Sequence, residues 1–222
     1  MTYAQDVKRA WNLLWHPGTE SKKSMDISSA LKFYYKIGIL GLIAFLVVGA
    51  LLISAGIVPS GYNTIMPQFV NVPYFSFVVL FTVAVLYFLI LIPIGIAINT
   101  LIIHAIGKYL LNSWRGDYSK TFAAETLSYS PILLFSWLML MPILGSLFFI
   151  FVIWQVVILI IAIATQQKVS RTNAFVALLA TWIFVIAFVV LFLMFTSTAL
   201  LPLFPLPINS SITVSPTIPY NP

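Results

Sequence analysis

Few residues in this chain are able to do chemistry, and most of them sit inside or beside long apolar runs. Gln155 follows Trp154 within an uncharged stretch from Leu127 to Thr165; Asn99, Thr100 and His104 recur at helical spacing after Pro93; Glu125 stands six residues before Pro131. An amide facing lipid is costly, so Gln155 is expected to face other helices, toward Thr181 or another partner, as an interhelical hydrogen bond rather than a transport group. Asn99, Thr100 and His104 could line a wet cavity, but their nearness to Lys108 favours solvation at the membrane interface. Glu125 is expected to cap or precede an apolar span, and as an acid at a boundary it is the carboxylate whose proton affinity can shift. Enzyme chemistry finds little support. With two histidines, five carboxylates and no cysteine, a zinc site lacks ligands. Gly-x-Ser-x-Gly, Gly-x-x-x-x-Gly-Lys and His-Glu-x-x-His patterns are absent, and no acidic pair falls within a span. The expectation is a non-catalytic protein with no catalytic residue, cofactor or metal site.

What must position these residues is a membrane domain. The 222 residues are 61% hydrophobic and 7% charged, with a mean hydropathy of +1.06, against about 45–50% apolar and about 25% charged in soluble domains. A multi-pass protein of the cell membrane is expected. The first 36 residues carry Trp11, Leu14, His16, Pro17 and six cations before any long apolar run, unlike a cleavable signal peptide. The net charge of +6 reads as membrane orientation rather than nucleic-acid binding, because the cations are spread over three loops.

A helix needs roughly 20 apolar residues to cross the hydrocarbon, which places spans at about 37–58, 75–98, 127–141, 146–165 and 173–201. A cytoplasmic amphipathic head, 1–36, precedes them and a proline-rich outer tail, 202–222, follows. Pro93 and Gly95 give the second apolar run a cause for kinking. The eleven cations decide the topology: six precede the first span, Lys108, Arg115 and Lys120 lie in the middle loop, and Lys168 and Arg171 precede the last span. Were Leu127 to Thr165 one bent helix, Lys168 and Arg171 would lie opposite the other nine. A turn at Pro142 to Gly145 puts all eleven on one face, as the positive-inside rule prefers. A re-entrant hairpin would satisfy the same count, but the second arm is long enough to cross. The fold class is therefore all-α and polytopic, with five transmembrane helices, a cytoplasmic N-terminus and an outer C-terminus. The tail's Asn209-Ser210-Ser211 is then a candidate glycosylation acceptor on the outer side.

In the head, Val7, Trp11, Leu14 and Trp15 follow helical spacing while Asp6, Lys8, Arg9 and Asn12 take the remaining surface. Such a helix can lie in the interface as a partner-recruiting segment, or simply anchor the first span. Pro17-Gly18 ends it, and Asp26 suits the N-cap of a following helix. Gly38, Gly49 and Gly56 fall within roughly 20° of one another at 100° per residue, a small-residue stripe for helix packing within the chain or between two copies.

The order of these features is also familiar. The head "AWNLLWHPGT", the uncharged first outer loop, "YSPILLF" opening the third span, "IWQVVIL" within the fourth and "KVSRTNAFVALL" leading into the fifth resemble the Yip domain family of Rab-interacting five-span membrane proteins, and a prokaryotic relative in particular. The likeness covers about Trp11 to Phe195. It implies a scaffold or adaptor acting in membrane organisation or trafficking through partner and lipid contacts. The long cytoplasmic head and the Asp-Leu-Tyr-Gly-Pro element of the eukaryotic members are missing, so GTPase binding is not carried over. The expected partners are the lipid bilayer and, laterally, other membrane proteins or a second copy of the chain. A different class remains open at this stage: a small transporter or channel component with Gln155, Asn99 and His104 along a path, or an accessory subunit of a larger complex. A scaffold calls for a closed bundle, a carrier for polar groups converging at mid-depth.

Overall fold

The computed structural model describes residues 2–23, 25–55, 57, 73–141 and 144–200. Gly56, most of the loop after Val58, Pro142 and the tail with Asn209 fall outside them. Among the described residues every regular element is helical. The chain divides into two compact units, Met1–Thr181 and Trp182–Pro222.

The first unit opens with α1 (Tyr3–Trp15), whose start is closed by the Gln5 side chain accepting from the Thr2 N–H at 3.0 Å. A four-residue turn, α2 (Pro17–Glu20), places Pro17 where no N–H is needed. α3 (Ile27–Ser54) begins on Asp26, whose carboxylate accepts the Ser29 N–H at 3.3 Å. α4 (Pro73–Leu86), a π turn (Tyr87–Leu91), α5 (Ile92–Ala105) and a second π turn (Ile106–Leu110) run on without a break. α6 (Tyr118–Ser128) and α7 (Ser130–Phe135) lead into 3-10 turns at Ser136–Leu140 and Leu144–Leu147. α8 (Phe148–Gln167) ends at Lys168 in the left-handed conformation, φ 56°. α9 (Arg171–Leu200) contributes its first part, through Thr181, to this unit; its distal part is the described portion of the second unit.

Among the described residues, four helical stretches are long and apolar enough to cross a membrane: Ile27–Ser54, Val78–Leu110, Leu144–Gln167 and Arg171–Met194. Leu127–Met141, expected as a further span, is instead the end of α6, the six-residue α7 and a 3-10 turn. Pro131 is one physical cause, since it cannot donate to the Leu127 carbonyl four residues back. The Ser130 hydroxyl takes that carbonyl at 2.7 Å, while Ser128 and Ser136 bond back to Glu125 and Leu133 carbonyls at 2.7 and 3.2 Å. The same accounting holds around Pro93, which leaves Leu89 without its usual donor. The Tyr34 hydroxyl donates to the Phe88 carbonyl at 2.6 Å and Tyr35 to Leu89 at 3.5 Å, so neighbouring α3 repairs the π turn that precedes the proline.

Packing follows from close backbone approach. At Gly41, α3 meets α7 so tightly that a Cβ there would land on the Leu133 carbonyl oxygen. Around this contact Leu13, Phe33, Tyr34, Ile37, Phe88 and Ile158 form the main core. α6 makes its largest contact with α8. The Gln167 amide ties the two ends of that hairpin together: its Oε1 accepts the Gly116 N–H at 2.8 Å, and its Nε2 donates to the Asp117 carbonyl at 3.3 Å. The segment from α6 to α8 thus folds back to where it began.

Candidate functional site

A buried polar cluster lies between α5, α6 and α8. Glu125 occupies the interior of α6, neither capping nor preceding a helix, and its side chain is fully buried. Thr100 Oγ1 donates to its Oε2 at 2.5 Å and Asn99 Nδ2 to its Oε1 at 2.6 Å. One turn earlier on α6, Thr121 meets His104 Nδ1 at 2.8 Å and Gln167 Nε2 at 2.8 Å. Thr100 and His104 are four residues apart on α5, as Thr121 and Glu125 are on α6, so the helices face each other through two polar rungs. The His104 ring is enclosed by Trp114 and Tyr118, with centroids 6.0 and 5.9 Å away. A Cβ at Gly107 would meet the Trp114 ring, so that glycine makes room for the indole.

The ion pairs among the described residues join Arg9 and Lys23 to Glu20 and Lys36 to Asp6; none reaches Glu125. A buried carboxylate without a cation is expensive. Burial pushes the Glu125 carboxyl up to about 7, against the opposing pull of the Thr100 and Asn99 hydrogen bonds. Chemically, this arrangement holds one proton and fastens α5 to α6; Asn99, Thr100 and His104, expected at a solvated interface, are all occupied within it.

Gln155 is partly buried and shares a side-chain hydrogen bond with Tyr129. Both border an apolar cavity of about 420 Å³ among Phe45, Phe88, Met139 and Phe148. The Thr181 hydroxyl turns back to the Ala177 carbonyl at 2.8 Å.

The head is part of the first unit and packs onto its helices. Ala10, Leu13 and Leu14 are buried, Val7 is partly buried, and Trp11 and Trp15 are 51% and 68% exposed, in edge-on contact at 6.5 Å. The four residues of the expected stripe therefore face different surroundings, with the indoles outward and Leu14 inward. Polar latches hold the head: Trp154 Nε1 donates to the Leu14 carbonyl at 3.0 Å, and Gln166 Nε2 to the Ser21 carbonyl at 2.5 Å. Tyr3 hydroxyl reaches the Lys36 carbonyl at 3.2 Å, and Lys36 Nζ pairs with buried Asp6 at 2.6 Å. The buried Arg9 guanidinium bonds Met25 Sδ and the carbonyls of Glu20 and Lys23 at 2.8, 3.1 and 3.0 Å.

Of the stripe glycines, Gly38 lies against the Tyr34 ring and Gly49 against Leu80 and Leu140. Gly41, Thr121 and Gln167 were not singled out in the sequence, and Asp6 and Arg9, expected on the polar surface of the head, are buried. Gly38 and Gly41 form a Gly-x-x-Gly pair, a local signal for the first of these; the others meet partners far along the chain. The chain matches no family model, and neither a curated protein nor a solved structure is significantly similar to it.

Proposed function

We propose that the chain is a non-catalytic membrane scaffold or adaptor of the Yip type. In this reading it has five spans in the cell membrane, a cytoplasmic amino terminus and an outer carboxyl end, and it acts in membrane organisation or trafficking through lipid and partner contacts. The observation that carries the reading is closure: Asn99, Thr100 and His104, the polar groups a path along α5 would need, are spent on Glu125 and Thr121. The Gln167 tie to Gly116 supports a return between α6 and α8, because it holds the end of α8 against the loop that precedes α6. The outward pair Trp11 and Trp15 supplies a surface suited to lipid headgroups or a partner. Cross-linking in native membranes, paired with solute flux in liposomes, tests this. Stable protein neighbours with no flux above empty liposomes support the scaffold; flux without neighbours overturns it, and one stoichiometric neighbour marks an accessory subunit.

A second reading, a small transporter or channel component, is favoured by Glu125 itself. A buried carboxyl one helical turn from the His104–Thr121 contact, with no cation partner among the described residues, is a group on which proton-coupled transport can be built. Proton uptake into liposomes that disappears in Glu125→Gln supports that reading.

A further inference from the structure

The head meets α3 around a cleft of about 470 Å³. Four cationic side chains, Arg9, Lys23, Lys32 and Lys36, border it against two carboxylates, Asp6 and Asp26. Both carboxylates are engaged: Asp6 holds Lys36 at 2.6 Å, and Asp26 accepts the Ser29 N–H that starts α3. Lys23 and Lys32 are exposed; the Lys23 ammonium also pairs with Glu20 at 2.8 Å, and Lys32 is presented to the medium. Arg9 is buried, and its Nε makes no hydrogen bond, lying 3.8 Å from Glu20 Oε2.

Depth identifies what this cleft meets. Lys36 is the last charge of α3, and the uncharged remainder, Ile37 to Ser54, extends roughly 27 Å at the helical rise, close to the ~30 Å of hydrocarbon. The cleft therefore opens among headgroups, where the anionic groups at hand are lipid phosphates. We infer that it is a binding site for the phosphate of an anionic glycerophospholipid, gripped by the ammoniums of Lys23 and Lys32, with Lys36 and the buried Arg9 adding to the field. The site names the lipid class of the scaffold reading and rests on the docked head. Its test needs neither a protein neighbour nor a flux measurement, so it can fail while that reading stands.

The full-length protein in neutral detergent is titrated with short-chain phosphatidylglycerol or phosphatidylcholine and followed by native mass spectrometry. Phosphatidylglycerol should bind the more tightly. Lys32→Gln should weaken it by about fivefold and Lys23→Gln with Lys32→Gln on the order of twentyfold, with phosphatidylcholine unaffected and Lys108→Gln without effect. Lys32 is exposed, so its variant folds; Lys23 also pairs with Glu20, and the single Lys32 variant keeps the test decisive if the double variant fails. Equal binding of the two lipids, an equal loss in Lys108→Gln, or displacement by millimolar inorganic phosphate would each overturn the assignment.

Discussion

Replacing Glu125 with glutamine removes the one buried carboxyl of the α5–α6 rungs and leaves its shape. The carboxyl stands at about 7 in the folded chain against an ordinary 4.5. The folded state therefore holds this proton more tightly than the unfolded state. Its contribution to stability is complete below the unfolded value and is lost as pH rises through about 7. The difference between the two values corresponds to on the order of 3 kcal/mol, or roughly 6–12 °C in melting temperature for a chain of this size. Glutamine keeps an acceptor for the Thr100 hydroxyl and cannot ionise. Thermal melts of both proteins in one detergent, from pH 4.5 to 8.5, isolate the effect as their difference, because every other titration is common to both. Wild type should lose stability relative to Glu125→Gln as pH rises, with the steepest change between about 4.5 and 7 and a levelling off above it. Parallel curves, or a wild type that gains on the variant with rising pH, would refute the reasoning.

Three further outcomes follow from the packing. Gly41→Ala puts a methyl on the Leu133 carbonyl oxygen and should cost about 1–3 kcal/mol, whereas Gly38→Ala, whose Cβ would sit 3.6 Å from the Tyr34 ring, should be nearly silent in the same melts. Tyr34→Phe strands the Phe88 carbonyl beside Pro93 and should cost about 1–3 kcal/mol; Tyr35→Phe, which loses only a 3.5 Å bond at an exposed position, should cost less. Trp154→Phe releases the Leu14 carbonyl, and limited trypsin cleavage at Lys22 and Lys23 should quicken by about fivefold, as expected for roughly 1 kcal/mol less protection of the head.

Much of the fold was legible because hydropathy and length are sums over a local window. The long runs became α3, α8 and α9, and Asp26 caps α3 as a residue of its type should. Leu127–Met141 is also uncharged, and its break comes from Pro131 and three serines that offer local bonds to carbonyls, a competition that averaging hides. The head stripe treated indole as apolar, yet indole is amphipathic and suits the outer face, so Ala10 and Leu13 take the packed side. The glycine stripe was drawn by angle alone, and the tightest approach is set at Gly41 by where the α7 backbone passes. The polar rungs were half legible. Asn99, Thr100, His104 and Glu125 were singled out, but Thr121 and Gln167 are 46 residues apart and nothing local pairs them.

The central claim, that the chain returns between α6 and α8 so that its cations share one face, is open to direct measurement. The sequence contains no cysteine, so Lys108→Cys and Lys168→Cys each carry a single thiol. Each is challenged with a membrane-impermeant maleimide in inside-out and right-side-out vesicles. Both thiols should react only when the cytoplasmic face is exposed. Labelling of Lys168→Cys solely from the exterior, with Lys108→Cys reached solely from within, would contradict the account.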